Sequence, residues 1–192
     1  MTVSLPTAKL PDGIVVVVKR ECETYQTVVP VLQQLHDAIS LTVYTQDDAD
    51  FPAAPAAIDD GDLAVSWHHD IETVPTVIKV VGGLEVERTV GWIRPEWERI
   101  TGVTDLGEGL PVMRPGCGSM SVDPDLVDAL RVRFEGSILH ARRVEVAEAE
   151  DEMEMMFNRG WTDGLPVVPP TEERVMAMLT GTSRGPSDIV AT

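Results

Sequence analysis

Residues 13–22 read GIVVVVKREC, and this stretch decides the fold. Its run IVVVV (14–18) is short, β-branched and entirely apolar, which is typical of a strand buried on both faces of a sheet. Beyond it, apolar residues recur at helical spacing, which predicts a helix over 23–38. Cys22 therefore falls at the junction between a buried strand and a helix.

The chain continues with the alternation of strands and helices that is typical of an α/β fold. SLTVYT (40–45) is a second strand candidate, and the Asp-, Ala- and Pro-rich stretch over 46–62 predicts a loop. The runs TVIKVV (76–81) and LEVERTVGW (84–92) flank a Gly-Gly pair, which predicts a β-hairpin. RPEWERIT (94–101) then predicts a helix with a proline in its first turn.

Two features in this order resemble the thioredoxin family over residues 10–102. In that family the active-site cysteine begins a helix that contains a proline eight residues further on, and Cys22 and Pro30 have this spacing. The family also has a cis-proline at the start of its hairpin, and the phrase Thr-Val-Pro-Thr at 73–76 matches it. The resemblance implies an α/β fold with a central mixed sheet flanked by helices.

The same resemblance implies a substrate-binding backbone next to the reactive thiol. A cis-proline at Pro75 would place the Val74 backbone beside Cys22, where an extended peptide or a thiol ligand could pair with it. The predicted substrate-binding residues are Val74, Pro75 and Thr76. A plain turn before a strand is the alternative interpretation of this phrase.

The sequence departs from the family at the second cysteine of its C-x-x-C redox motif. Residues 22–25 read CETY, so Tyr25 replaces the resolving cysteine, and the buried acid of many thioredoxins would fall at Val16. We therefore expect no general dithiol reductase, but a monothiol site at Cys22 or a site closed by another cysteine. Tyr25 is a candidate catalytic residue whose hydroxyl would hydrogen-bond the thiolate or a substrate, or would simply cover the site.

Cys22 and Cys117 are the two cysteines of the chain, and both are candidate catalytic residues. The free amides and the dipole at a helix N-terminus favour a thiolate at Cys22, with help from Lys19 and Arg20. Cys117 lies between glycines in PGCGSM (115–120), which would leave its thiol accessible. Cys117 could resolve a mixed disulfide on Cys22, act as a nucleophile itself or have no role. The alternative for Cys22 is a small buried side chain that has no chemical role.

No metal site and no cofactor is predicted. The two thiols and Met120 would suit a soft metal ion, but the Cys-x-x-Cys and His-x-x-x-His spacings of structural zinc sites do not occur. Common nucleotide-binding and hydrolase motifs do not occur either.

We predict two parts, a thioredoxin-like domain over 1–104 and an irregular, α-rich C-terminal extension over 105–192. In the extension, the sequence predicts helices after Asp123 and over 148–160 and 171–179, and a strand over 138–146. WTDGLPVVPPTEERV (161–175) resembles the opening of an uncharacterised bacterial family associated with selenoprotein-like genes that carry a Sec/Cys-Gly-Ser-Cys motif. Cys117-Gly118-Ser119 is similar to that motif, with Met120 in place of its last cysteine, and this resemblance implies no established activity.

The chain of 192 residues has 32 acidic residues against 15 Lys and Arg, for a net charge of −17. Such a surface repels phosphate backbones and anionic lipids, so neither nucleic acid nor a membrane is expected as a partner. No apolar run approaches the ~18–20 residues of a transmembrane helix, and no signal peptide is recognisable. Because two cysteines make no disulfide framework, we expect a cytoplasmic protein.

The combined prediction is an atypical monothiol thioredoxin-like protein. Cys22 would attack a low-molecular-weight disulfide or an electrophile, and Cys117 or a low-molecular-weight thiol would resolve the intermediate. The first alternative is a non-redox thioredoxin-like subunit or scaffold that binds a protein partner. The second is a Cys117-dependent lyase or hydrolase that acts on a carbon–sulfur or carbon–metal bond.

Overall fold

The computed structural model describes residues 9–52, 55–136, 139, 144, 146, 151–185 and 188. The chain divides into two compact units, Met1–Leu130 and Arg131–Thr192. The strands are β1 (Gly13–Val18), β2 (Leu41–Thr45), β3 (Ile58–Asp59), β4 (Thr73–Val74), β5 (Thr76–Val81), β6 (Leu84–Val90), β7 (Trp92–Ile93), β8 (Met113–Arg114) and β9 (Cys117–Gly118). The helices are α1 (Glu23–Ala38), α2 (Ala64–His68), α3 (Arg94–Thr101), α4 (Val127–Glu135), α5 (Glu152–Asn158) and α6 (Glu172–Leu179).

The first unit is organised around a five-stranded mixed sheet with the order β3-β2-β1-β5-β6. β1 lies in the centre, parallel to β2 and antiparallel to β5. Residues Val15 to Val18 of β1 have no exposed surface, as the apolar run predicts for a strand covered on both faces. β5 and β6 form the predicted hairpin, and both turn residues, Gly82 and Gly83, have positive φ.

Helices complete the core around this sheet. α1 begins and ends at the predicted residues and buries an apolar stripe in the same core cluster as β1. α3 contacts β5 and β6. The buried stripe of α1 consists of Val28, Val31, Leu32 and Leu35. The predicted α/β class, with a central mixed sheet flanked by helices in a thioredoxin-like arrangement, is confirmed.

Two small antiparallel sheets lie outside the central one. β7 pairs with β8, and β4 pairs with β9. In both sheets a strand of the hairpin region pairs with a strand of the segment 111–122, which we call the strap. The strap and the rest of 105–130 belong to the first compact unit.

The helix predicted directly after Asp123 begins later, at Val127. The carboxylate of Asp123 accepts a hydrogen bond from the Asp125 amide, and its carbonyl accepts from the amides of Leu126 and Val127. Asp123 and its neighbours thus form a turn that leads into α4, because the Asp side chain bonds to its own backbone.

The second unit has the predicted α-rich, irregular character. Asp151 caps α5 by accepting from two backbone amides, and Thr171 caps α6 in the same way with one. The chain leaves α5 through Gly160, which has positive φ. Of the strand predicted over 138–146, only residues 139, 144 and 146 are described, so this prediction falls outside the described residues.

No helix in the described part of the chain combines the length and the apolar character needed to cross a membrane.

Replacement of one core leucine tests the packing of α1. Leu32 is fully buried, so Leu32→Ala should reduce the free energy of unfolding by about 2–5 kcal/mol. Leu84, on edge strand β6, is 71% exposed, so Leu84→Ala should change it by less than about 0.5 kcal/mol. Urea denaturation of the full chain measures both. Equal losses in the two variants would contradict the position of α1 in the core.

Candidate functional site

Cys22 is the residue that precedes the first turn of α1. Its backbone is extended, and its carbonyl accepts the first helical hydrogen bond, from the Gln26 amide at 3.1 Å. The side chain is fully buried, and Sγ donates a hydrogen bond to the Val74 carbonyl at 3.3 Å. The strand-to-helix junction thus directs the thiol at the loop before the hairpin, as the sequence predicts.

The Val74–Pro75 peptide bond is cis, as the resemblance implies. Val74 belongs to β4, and its antiparallel partner in β9 is Cys117. The two cysteines therefore meet at Val74. The Cys22 sulfur bonds the Val74 carbonyl, and the Cys117 backbone pairs with the Val74 backbone. Both thiols are free; Cys22 is buried, and Cys117 is partly exposed and packs against the core cluster that contains Cys22.

The surroundings of Cys22 oppose its ionisation. Burial has the largest effect and raises the pKa of the thiol, and the neighbouring Cys117 thiol raises it further. The amides of Tyr25 and Thr24 act in the opposite direction, as expected at a helix N-terminus. Burial outweighs them, so the pKa is raised where the sequence analysis expected a favoured thiolate.

The two basic residues before Cys22 bind other groups. Lys19 Nζ donates to the Gly118 carbonyl at 2.9 Å, so this side chain holds β9 in place. Arg20 forms an ion pair with Asp48 at 2.5 Å and lies over the Phe51 ring, 5.4 Å from its centroid. Neither contact directs a cation at the thiol, in contrast to the expected assistance.

The strap is held over the first turns of α1 by side-chain hydrogen bonds. Thr24 Oγ1 donates to the Pro115 carbonyl, and Arg114 donates to Thr27 Oγ1, both at 2.6 Å. Trp92 Nε1 donates to the Pro111 carbonyl, also at 2.6 Å. These bonds add to the backbone pairing of β8 and β9 and fix Cys117 above the helix N-terminus.

Gly116 permits the closest approach between the strap and β4. A Cβ at this position would lie 2.4 Å from Thr73 Cγ2 and 2.8 Å from the Val74 carbonyl oxygen. Beyond Cys117, an added Cβ at Gly118 would meet no atom within 4 Å. Position 116 therefore has no room for a side chain, whereas Gly118 borders open space.

A buried polar network anchors the strap on the other side of Cys117. Gln46 Nε2 donates to Ser66 Oγ at 2.7 Å and to Ser119 Oγ at 2.6 Å, and Gln46 Oε1 accepts from the Met120 amide at 3.1 Å. Ser66 in turn donates to the buried Asp60 carboxylate, whose pKa is raised by burial. The sequence analysis missed this network, because Gln46 stands at the start of a stretch that reads as a polar loop.

Tyr25 is fully buried, and its hydroxyl has no hydrogen-bond partner among the described residues. Its ring lies edge-on to Phe51 with centroids 5.5 Å apart. Burial, together with the charge of Asp47, raises the pKa of the phenol. The hydrogen bond from its hydroxyl to the Cys22 thiol is not formed in this structure.

The predicted substrate-binding backbone is already engaged by the protein itself. The Val74 strand edge pairs with Cys117, and the Pro75 carbonyl accepts from the Gly91 amide at 2.7 Å. Thr76 Oγ1 donates to the Thr73 carbonyl at 2.6 Å. Within the described ranges, no group of three or more His, Cys, Asp or Glu side chains is placed to hold a metal ion.

A methyl group at Gly116 should loosen the strap. Gly116→Ala should destabilise the protein and increase the rate at which iodoacetamide alkylates Cys22, because the added Cβ forces β9 away from β4. Gly118→Ala is the matched control and should leave the rate close to that of the wild type. Peptide mass spectrometry measures the modification of each cysteine. Equal rates in the two variants would contradict the role of the strap as the cover over Cys22.

The raised pKa of Cys22 should also appear in the pH dependence of stability. At pH values well below the ordinary thiol pKa of 9.0, the folded and unfolded states both keep the proton. As the pH rises past that value, the unfolded state loses its proton first, so the free energy of unfolding decreases. Under reducing conditions, Cys22→Ser should therefore lose less stability than the wild type between neutral and alkaline pH. Parallel urea titrations that show the same loss would contradict the shift.

Comparison with known proteins finds no family model and no curated protein that matches this chain. Its function is therefore inferred from the residues of the site.

Proposed function

We propose that the protein carries out thiol–disulfide exchange, with Cys22 and Cys117 as a dithiol pair that converts reversibly to an intramolecular disulfide. The observation that supports this most strongly is that two free cysteines meet at Val74, next to a helix N-terminus: Cys22 Sγ bonds the Val74 carbonyl, and Cys117 is the strand partner of Val74. The thioredoxin-like arrangement of β1, α1 and the cis-proline loop also favours this chemistry. We further infer that the first unit is related to the thioredoxin family.

The pair takes the place of the family's C-x-x-C motif. Tyr25 cannot resolve a mixed disulfide, because it stands where the second cysteine of that motif would be and carries no thiol. The strap brings Cys117 to Cys22 from a distant part of the sequence. A second thiol held in contact reacts far faster than one from solution, because its approach costs no further translational entropy.

The reaction balances as a two-electron exchange. One cysteine loses its proton to solvent and attacks an external disulfide, which forms a mixed disulfide and releases one thiolate. The other cysteine then loses its proton and attacks the protein sulfur of that mixed disulfide, which releases the second thiolate. Both released thiolates take up protons, so the protein is oxidised by two electrons and the substrate is reduced to two thiols. An external dithiol reverses the sequence.

A second candidate function is a non-redox interaction module, and one observation favours it. Among its described residues, the second unit exposes six large apolar side chains, at levels more typical of interaction surfaces than of an isolated small unit. These side chains are Met153, Phe157, Trp161, Leu165, Val168 and Met178. A stoichiometric complex that forms equally well with the Cys22→Ser/Cys117→Ser double variant would support this function instead.

Equilibration with glutathione tests the exchange function. In buffers of increasing oxidised-to-reduced glutathione ratio, the wild-type protein should lose two hydrogens, as read from its intact mass with and without alkylation. The single variants Cys22→Ser and Cys117→Ser should instead accumulate one glutathione each, because neither has a second thiol to displace it. Circular dichroism confirms that the variants are folded. A wild type that keeps two free thiols even in strongly oxidising buffer would overturn the proposal.

A further inference from the structure

We propose that Cys117, not Cys22, is the thiol that attacks the external disulfide, and that the site accepts small disulfides in preference to extended polypeptides. This inference rests on the proposed exchange function and reverses the order of attack that the sequence predicts. It depends on which sulfur a substrate can reach and on what already occupies the Val74 strand edge.

The two sulfurs differ in access. Cys22 has no exposed surface, since its thiol points at the Val74 carbonyl beneath the strap. Exchange requires the three sulfurs to approach a line, and a buried thiol offers this line to an outside molecule only when the strap opens. Cys117 is partly exposed, and the position after it, Gly118, borders open space. A small disulfide therefore meets the Cys117 sulfur first.

The strand edge that would bind an extended peptide is not free. β9 pairs with β4 there, and the Ser119 amide donates to the Glu72 carbonyl at 3.0 Å, which extends the pairing by one residue. A polypeptide could pair with Val74 only after β9 had left. Its departure would break the bonds of Lys19 to Gly118 and of Gln46 to Ser119. β9 of the strap thus pairs with the strand edge at Val74 in the way that an extended peptide substrate would.

Cys22 has the properties of a resolving thiol. Both cysteines lie at Val74, so a mixed disulfide on Cys117 forms close to the Cys22 thiol. Cys22 is the residue before the first turn of α1, where the free amides of a helix N-terminus favour negative charge on its sulfur as the proton leaves. Its attack on Cys117 Sγ forms the intramolecular disulfide and releases the second small thiol, which takes up a proton.

Trapping of the mixed disulfide distinguishes the two orders of attack. Reduced full-length Cys22→Ser and Cys117→Ser are each mixed with oxidised glutathione, and the rate of adduct formation is followed by intact mass. We expect the Cys22→Ser variant, which retains Cys117, to react at least about 10-fold faster than the Cys117→Ser variant, because exposure controls access to the sulfur. Equal rates, or faster reaction of Cys117→Ser, would overturn the inference.

The wild type in the same experiment separates the two proposals. If it forms the intramolecular disulfide while Cys117→Ser reacts faster than Cys22→Ser, the exchange function stands and only the order of attack fails. If it forms no intramolecular disulfide, the exchange function itself fails, and this inference fails with it.

Insulin, whose disulfides are carried on polypeptide chains, tests the substrate class. The wild type should reduce oxidised glutathione but react with insulin at least about 10-fold more slowly, because the strap fills the strand edge. Gly116→Ala should narrow this difference by raising the rate with insulin. Thr24→Val, which removes the bond to Pro115, serves the same purpose should the glycine variant fail to fold. A wild type that reacts with insulin as fast as with oxidised glutathione would overturn the preference.

Discussion

The pairing of Cys117 with Val74 is the constraint on which the site depends. Through this pairing the strap covers the N-terminus of α1 and brings one thiol to the other. It is maintained by contacts on both sides, with Thr24 holding Pro115 on one and Gln46 holding Ser119 on the other. Two short β-pairs and a few buried hydrogen bonds thus convert a lone helix-capping cysteine into a two-thiol site.

Opposing physical effects set the state of Cys22. The helix amides favour its thiolate, as at many reactive cysteines, but burial beneath the strap favours the neutral thiol and dominates. For the exchange function that we propose, a covered, protonated thiol suits the cysteine that attacks second, because the neighbouring Cys117 holds the disulfide that it attacks. The same cover leaves the more accessible sulfur on Cys117.

The position of the second thiol also bears on substrate choice. In a C-x-x-C motif both thiols lie on one helix turn and the adjacent strand edge stays available to a peptide. Here the second thiol, Cys117, belongs to β9, and β9 pairs with that strand edge. Under the exchange function that we propose, the strap that supplies the second thiol therefore also keeps an extended peptide away from Val74.

Patterns along the chain were enough to predict the local elements of the first unit. β1, α1 and the β5–β6 hairpin follow from an apolar β-branched run, a helical apolar stripe and a Gly-Gly turn, and the cis-proline beside Cys22 follows from the thioredoxin resemblance. The pairing of β4 with β9, the meeting of Cys22 and Cys117 at Val74 and the burial that raises the pKa of Cys22 appear only in the folded chain. Periodicity and turn residues predict structure between residues that are close in the sequence. The contacts at Val74 join segments that are far apart in the sequence, and they depend on complementary shape, such as the space left by Gly116.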